Sequence, residues 1–190
     1  MLDLRFPTPP SWAEQVLASF DEFLTDHAAC ERKASATALA LVVRYPDRPA
    51  IIDPLIELAR EELLHFHQVY RLCAARGVRL CGDEKDPYVG QLIALCRHGR
   101  DDRLLDRLLV AGVIEARGCE RLEILSGALT DPALAELYRD LWRAGARHHG
   151  LFVRLAREEF AAEVVAARLE ALLCAEAEIC RRLPVRPRFH

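Results

Sequence analysis

The chain has 190 residues, a formal net charge of −3 at pH 7, 52% hydrophobic residues and 29% charged residues. This length is enough for one domain with a substantial core, and the composition excludes a disordered chain. The apolar runs are far shorter than a membrane span, and the first residues lack the pattern of a signal peptide. The negative charge gives no general attraction to nucleic acid, so any such binding requires a local basic patch.

The cysteines indicate a reducing environment. There are 7 of them, an odd number, and none forms a Cys-x-x-Cys pair. This argues against a disulfide scaffold and against a zinc ribbon. Cysteine within a helical stripe is usually a small buried hydrophobic residue. We therefore expect a cytoplasmic protein with no membrane attachment.

The local signals along the chain predict an all-α protein. Strand signals are nearly absent, and the dominant residue types Ala, Leu, Arg and Glu favour helices. Asp131 followed by Pro132 predicts a helix start with an aspartate N-cap, and Pro184 ends the last helix. The predicted helices cover residues 11–18, 20–44, 50–76, 87–98, 102–128, 132–159 and 162–182.

Four of these helices are long enough to form a bundle, because 27 helical residues span about 40 Å. The short helix at 87–98 lies between the second and third long helices, where a crossover connection of the ferritin-like type would lie. The pattern predicts a single domain over residues 1–190. Its fold is a ferritin-like four-helix bundle with additional short helices and a C-terminal helix.

Glu62 and His65 stand three residues apart within the apolar stripe of the second long helix. The surrounding stripe positions are Leu55, Leu58, Ala59, Phe66, Val69 and Cys73. Helical spacing places the acid and the imidazole on the face that should be buried. Each would cost several kcal/mol to bury without a partner. A metal ion is the usual partner for Glu-x-x-His pointing into a helix bundle.

The other long helices also carry metal-ligating residue types at core positions. These are Glu31 on the first, Glu115 on the third and His148 on the fourth. One Glu from each of two helices, with Glu-x-x-His from the other two, is the pattern of a di-iron carboxylate bundle. The predicted metal ligands are therefore Glu31, Glu62, His65, Glu115 and His148. A set of ion pairs and solvated helix faces is the alternative interpretation.

Several segments resemble the tRNA 2-methylthio-isopentenyl-adenosine hydroxylases, in order along nearly the whole chain. They are TPPSW at 8–12, DHAACERKA at 26–34, LAREELLHF at 58–66, IEARGCER at 114–121 and ARH at 146–148. The resemblance implies a non-haem di-iron monooxygenase with two iron ions. Such an enzyme uses O2 and two electrons from a donor to hydroxylate the isopentenyl group of a modified adenosine beside the tRNA anticodon.

The resemblance also implies how the ligands are shared. By analogy with related bundles, Glu31 and His65 would hold one iron and Glu115 and His148 the other, with Glu62 as a bridge between the two. Outer partners should orient the two histidines through their other ring nitrogens. Asp26 and Glu61 are candidates for this role, although Glu61 also fits a solvated helix face.

One position departs from the family pattern. The family reads Ser-Glu-Ala-Arg-His on the fourth helix, whereas this chain reads Ala-Gly-Ala-Arg-His from Ala144 to His148. Gly145 therefore stands where a second bridging glutamate is expected. With one carboxylate fewer, two ferrous ions keep a net positive charge, so we expect weaker binding of the second ion. Candidate substitutes for the absent ligand are His27, Asp140 and His149.

Basic residues close in sequence to the ligands are candidates for tRNA contacts. They are Lys33, Arg117, Arg121 and Arg147. Each of them also fits a solvated helix face.

Two other functions remain open from the sequence. One is a ferritin-like protein that binds metal and tRNA through a degenerate second iron site and has no hydroxylase activity, which Gly145 favours. The other is a di-iron bundle acting on another substrate, such as an oxidase or an iron-storage relative.

Overall fold

A computed structural model describes residues 2–82 and 84–190 of the chain. Over these residues the structure contains seven helices and no strand, which confirms the prediction of an all-α protein. The helices are α1 Ser11–Ala18, α2 Phe20–Arg44, α3 Pro49–Ala75, α4 Pro87–Ala94, α5 Arg100–Ala128, α6 Pro132–Glu159 and α7 Ala162–Arg182. None of these helices combines the length and the apolarity that a membrane crossing requires.

The end of α4 differs from the prediction. The helix was expected to continue to residue 98, but it ends at Ala94. The backbone N–H of Arg97 donates to Oδ2 of Asp106 at 2.8 Å instead of continuing the helical ladder. The predicted end is wrong because the competing acceptor belongs to the next helix, which a local pattern does not reveal.

Aspartate caps fix the starts of two helices. The Asp131 carboxylate accepts from the N–H groups of Ala133 and Leu134 at 2.8 and 3.1 Å, which confirms the predicted N-cap of α6. Asp86 caps α4 in the same way. Such a cap stabilises a helix by about 1 kcal/mol. The cap of α6 matters for the site because this helix carries His148.

The chain divides into two compact units. The α2–α3 unit comprises Glu14–Glu84 and Arg186–Phe189, and the α4–α7 unit comprises Met1–Ala13, Lys85–Val185 and His190. The prediction of one domain over the whole chain stays a prediction.

The α2–α3 unit is built on a pair of long antiparallel helices joined by residues 45–48. Its apolar stripes bury Phe23 and Leu55, and Oγ of Ser35 donates to the carbonyl of Ala59 at 2.7 Å. Gly77 ends α3 with a φ of 70°, a left-handed conformation that glycine adopts without strain. The pairing of α2 with α3 sets the predicted ligands of both helices on facing surfaces.

The α4–α7 unit has α5 at its centre, packed against α6 and α7. Helices α5 and α6 approach closely at Gly112, where an added Cβ would lie 3.3 Å from Cβ of Phe152. Buried ion pairs connect α7 and the segment after α4 to α5. Arg117 on α5 pairs with Glu176 on α7, and Asp106 on α5 pairs with Arg97 and Arg168.

Candidate metal centre

Three predicted ligands meet inside the α2–α3 unit. Glu31, Glu62 and His65 each offer one ligand atom, and these atoms lie within 4.8 Å of one another. The two glutamates are only 6% and 2% exposed, and His65 is half-buried. The three-residue spacing on α3 puts Glu62 and His65 on one face, and the pairing of α2 with α3 supplies Glu31.

The two oxygens of Glu31 have different partners. Nε2 of His27, one turn earlier on α2, lies 2.7 Å from Oε1 of Glu31. Nδ1 of His65 lies 3.7 Å from Oε2 of Glu31 and 3.4 Å from Oε2 of Glu62. His27 therefore holds one oxygen of Glu31, while the other oxygen faces the ligand cluster.

The electrostatics of this cluster favour a cation. Burial raises the pKa of Glu31, but hydrogen bonds to His27 and His65 outweigh it and lower the pKa overall. Burial lowers the pKa of His65, but hydrogen bonds to Glu31 and Glu62 raise it to about 10. A positive charge at this position, either a protonated His65 or a bound cation, would therefore balance the two buried acids.

The donor set fits a metal ion. Two carboxylates and an imidazole are ligands that first-row transition metals accept. A bound divalent cation would take over the balancing charge and release the proton of His65, as metal binding to histidine requires. Without a metal ion, the balancing charge for the two buried acids comes from the imidazole of His65.

Two further predicted ligands lie together inside the α4–α7 unit. Glu115 and His148 offer ligand atoms within 4.8 Å of each other. His148 is buried and Glu115 is half-buried. This pair lacks the second carboxylate present in the α2–α3 cluster, because the residue one turn before His148 is Gly145.

The backbone does not require glycine at position 145. Its φ is not in the left-handed region, since Gly77 alone has a positive φ among the described residues. An added Cβ would lie 3.6 Å from Cβ of Cys119, an ordinary van der Waals distance. The helix geometry would therefore accept a side-chain Cβ at position 145.

None of the three candidate substitutes for the absent carboxylate is in a ligand role in the structure. Asp140 is exposed, and its carboxylate accepts from Arg143 at 3.3 Å. Nδ1 of His149 lies 3.3 Å from the carbonyl of Gly145, and burial lowers the pKa of this histidine. His27 is bonded to Glu31 and belongs to the other unit.

The structure gives different surroundings to Asp26 and Glu61, the predicted outer partners of the ligand histidines. Asp26 accepts from the backbone N–H of Phe189 at 2.7 Å, and Glu61 is exposed. His27 contacts a ligand oxygen, Oε1 of Glu31, although the sequence predicted it only as a candidate substitute ligand. Its position one turn before Glu31 was the available signal.

The structure corrects the prediction that Arg117 contacts tRNA. This side chain is only 1% exposed. Its Nε donates to Oε1 of Glu176 at 2.9 Å, and its Nη1 pairs with Glu120. A guanidinium enclosed by two carboxylates is an internal ion pair and does not form part of a nucleic-acid surface.

The other three basic candidates differ in availability. Arg121 is half-buried and lies over the ring of Trp12, 5.3 Å from its centroid. Lys33 is half-buried and lines a cleft of about 340 Å³ in the α2–α3 unit, where its Nζ donates to the carbonyl of Glu84. Arg147 is exposed on α6. Lys33 and Arg147 are thus the better placed candidates for a phosphate contact.

Comparison with known families and proteins gives consistent relatives along the chain. A family model described as tRNA-(MS[2]IO[6]A)-hydroxylase (MiaE) matches residues 2–190. Two curated relatives both carry the name tRNA 2-(methylsulfanyl)-N(6)-isopentenyladenosine(37) hydroxylase. The one from Pseudomonas putida is 38% identical over 187 residues, covering 98% of this chain and 91% of the relative. The one from Salmonella typhimurium is 29% identical over 236 residues, covering 98% and 87%.

A solved structure is similar over the same extent. It is described as Protein 43 with aldehyde deformylating oxygenase activity, from Synechococcus. It is 43% identical, has a TM-score of 0.93, and the match covers 98% of this chain and 94% of that chain. This likeness confirms the predicted ferritin-like fold class.

Proposed function

The chain belongs to the tRNA-(MS[2]IO[6]A)-hydroxylase (MiaE) family, and we propose that it acts through a non-haem di-iron centre. As a member of this family it is a tRNA-modifying hydroxylase. The reaction is hydroxylation of the isopentenyl group of 2-methylthio-isopentenyl-adenosine next to the tRNA anticodon. It consumes O2 and two electrons, which an external donor supplies. Because the substrate is tRNA, we place the reaction in the cytoplasm.

The observation that carries the metal assignment is the buried cluster of the α2–α3 unit. Glu31, Glu62 and His65 place three ligand atoms within 4.8 Å of one another, and these residues would hold one iron. Glu115 and His148 would hold the second iron, and Glu62 is proposed as the carboxylate shared by both ions. The ligand types support this assignment, because carboxylates and imidazoles together are the ligand set of the di-iron carboxylate bundles.

The residues of the chain contribute binding, orientation and exclusion of water. Two ferrous ions, when bound, would supply the redox chemistry that activates O2 for attack on a C–H bond. Glu31 and Glu62 are buried, so their oxygens are kept from bulk water. His65 must give up its proton to act as a ligand. No side-chain nucleophile or general base is required for attack on a C–H bond.

Three measurements test this function. Purified protein loaded with ferrous iron under anaerobic conditions should bind up to two ions per chain, the second less tightly. With a chemical reductant and O2, it should convert 2-methylthio-isopentenyl-adenosine in tRNA to the hydroxylated nucleoside, as detected by mass spectrometry. A deletion strain with an unchanged nucleoside profile would contradict the proposal.

The tRNA surface is proposed to include Lys33 and Arg147. Lys33→Glu or Arg147→Glu should weaken tRNA binding several-fold, because each change converts a phosphate contact into a repulsion. Arg154→Glu is the matched control, because Arg154 is an exposed arginine two turns farther along α6. Equal losses in all three variants would indicate a general charge effect in place of a defined surface.

A second candidate function is oxygenation of an aldehyde. It is favoured by the 43% identity to the Synechococcus protein described as having aldehyde deformylating oxygenase activity. Iron-loaded protein should be offered an aliphatic aldehyde and, separately, tRNA carrying the modified adenosine. Turnover of the aldehyde alone would favour the second candidate, and turnover of the tRNA alone favours the hydroxylase.

A binding protein without hydroxylase activity is the remaining alternative, and Gly145 is the observation that favours it. Such a protein would bind tRNA and one metal ion but would leave the nucleoside unchanged. The nucleoside assay, carried out on protein of known iron content, distinguishes it from the enzyme.

A further inference from the structure

The segment Arg186–Phe189 belongs to the α2–α3 unit and is fastened to it by polar contacts. The backbone N–H of Phe189 donates to Oδ2 of Asp26 on α2 at 2.7 Å. Arg188 reaches Glu22 at 3.1 Å and Glu84 at 3.2 Å. These contacts hold the segment against the part of α2 that precedes Glu31.

The Phe189 side chain packs on His27. Their ring centroids are 4.6 Å apart with an interplanar angle of 31°. The ring of Phe23 contacts the same imidazole from one turn earlier, at 5.5 Å. His27 is 0% exposed, so two aromatic rings and the helix enclose it. The imidazole is therefore restricted in orientation by packing.

The orientation of His27 decides which oxygen of Glu31 is left for a ligand role. A carboxylate only accepts hydrogen bonds, so Nε2–H of His27 donates to Oε1 of Glu31 across 2.7 Å. Oε2 is the oxygen on the side of His65, 3.7 Å from its Nδ1. One oxygen is thus committed to His27, and the other is directed into the cluster.

We propose that His27 and Phe189 are positioning residues for the metal ligand Glu31. Phe189 fixes the imidazole by packing, and the imidazole fixes the carboxylate by a hydrogen bond, so that Oε2 is presented to the ion in one orientation. The inference rests on the metal site of the proposed function. It adds that a segment far from α2 in sequence contributes to metal affinity without providing a ligand.

The proposal predicts an effect on metal affinity in the range seen for outer partners of metal ligands. Loss of such a partner typically costs about 10–100-fold in affinity. His27→Phe keeps an aromatic ring but removes the donor, so we expect a loss in that range. His27→Gln keeps a donor and should retain more of the affinity. Phe189→Ala should cost about tenfold.

Titration of the full metal-free chain with Co²⁺, followed by the visible absorption of the bound ion, provides the test. Phe20→Ala is the matched control, because Phe20 packs on Phe23 in the same unit with ring centroids 6.1 Å apart. This control removes a half-buried aromatic ring of the same unit and should leave Co²⁺ affinity within about twofold of the parent. The melting temperature of each metal-free variant shows whether the fold is retained.

The outcomes separate the inference from the proposed function. Weaker Co²⁺ binding by His27→Phe and Phe189→Ala, with the Phe20→Ala affinity near that of the parent, supports positioning. Parent-like affinity in His27→Phe and Phe189→Ala overturns it, as does an equal loss in Phe20→Ala. A parent protein that binds no Co²⁺ overturns the metal site and the inference together. A parent that binds Co²⁺ but leaves tRNA unchanged fails only as a hydroxylase.

Discussion

The two groups of predicted ligands contain the same residue types but differ in the number of their carboxylates. The α2–α3 cluster has two buried glutamates, an imidazole and a further histidine bonded to Glu31. The α4–α7 pair has one half-buried glutamate, one buried histidine and Gly145 where a carboxylate could have been. A cation bound by the first group replaces a proton that the site already needs. A cation bound by the second group is balanced by one carboxylate of that group instead of two.

Two ligand groups on one fold therefore need not bind their ions equally. The first group is arranged before any ion arrives, because His27 and His65 already order both carboxylates. The second has one carboxylate of its own, Glu115, and under the proposed function it would share that of Glu62. The comparison therefore predicts sequential loading, with the α2–α3 cluster filled first.

Glu62→Ala should have the largest effect. It removes an acid from the first group and, under the proposal, the acid shared with the second ion. Loss of an outer partner costs about 10–100-fold in affinity, so loss of a shared ligand should exceed about 100-fold for both ions. Iron content after gel filtration measures this. Glu61→Ala is the control, because Glu61 is the exposed neighbour on the same helix. Two tightly held ions in Glu62→Ala would rule out the bridging role.

Asp106→Asn should reduce stability without changing metal affinity. Burial raises the pKa of Asp106, but Arg97 and Arg168 lower it to about 2, below the ordinary value near 4. The charged carboxylate therefore stabilises the folded state above pH 4, and this contribution is lost as the pH falls from about 4 to about 2. We expect Asp106→Asn to lower the free energy of unfolding by about 2 kcal/mol at pH 7, the value that corresponds to the lowered pKa.

Urea unfolding at pH 7, 4 and 3 tests this prediction. The deficit of Asp106→Asn should shrink as the pH falls, because the parent loses its own charge. Asp102→Asn is the control, since Asp102 also pairs with Arg97 but its side chain is 55% exposed. It should cost less than about 0.5 kcal/mol. A deficit that stays constant down to low pH would show that the carboxylate charge is not the cause.

Gly145→Glu should strengthen the second site. If the missing carboxylate is the reason for weak binding, restoring it should raise the affinity for the second ion about tenfold, or ~1.4 kcal/mol. Gly145→Gln is the control, because it has a side chain of the same length without the charge. Calorimetric titration with ferrous iron compares the two. Equal affinities in both variants would show that charge at this position does not limit the second site.

Gly145→Ala should have the smallest effect, a stabilisation of about 0.5–1 kcal/mol from reduced backbone entropy of the unfolded chain. The new Cβ would lie 3.6 Å from Cβ of Cys119, which needs no rearrangement. Gly112→Ala provides the contrast on the neighbouring helix. Its Cβ would lie 3.3 Å from Cβ of Phe152 and 3.5 Å from the carbonyl of His149, so it should destabilise. Thermal melts of both variants check the signs.

The helices were predictable because their signals are local. The Asp131–Pro132 start, the loop before Pro49 and the end at Arg182 all follow from residues within one turn. The end of α4 was missed because its determinant, Asp106, lies in the next helix. A local pattern identifies where a helix can continue but not which tertiary acceptor interrupts it.

The clustering of the candidate ligands was predictable because helical periodicity places acids and imidazoles within apolar stripes. Roles that depend on partners distant in sequence were not. Arg117 was predicted at the surface, yet its partner Glu176 lies 59 residues farther along the chain. His27 was predicted only as a candidate substitute ligand, because its packing against Phe189 joins residues 162 positions apart, which one sequence does not reveal.

The enclosure of Arg117 affects how the protein recognises its substrate. With Arg117 held by Glu176 and Arg121 lying over Trp12, two of the four predicted basic contacts are engaged within the protein. Few counterions would then be released on association, and each released ion contributes about −0.7 to −0.9 to the slope of log affinity against log salt. Discrimination should therefore come mainly from the modified base. A short anticodon stem-loop carrying that base should be hydroxylated nearly as well as the intact tRNA.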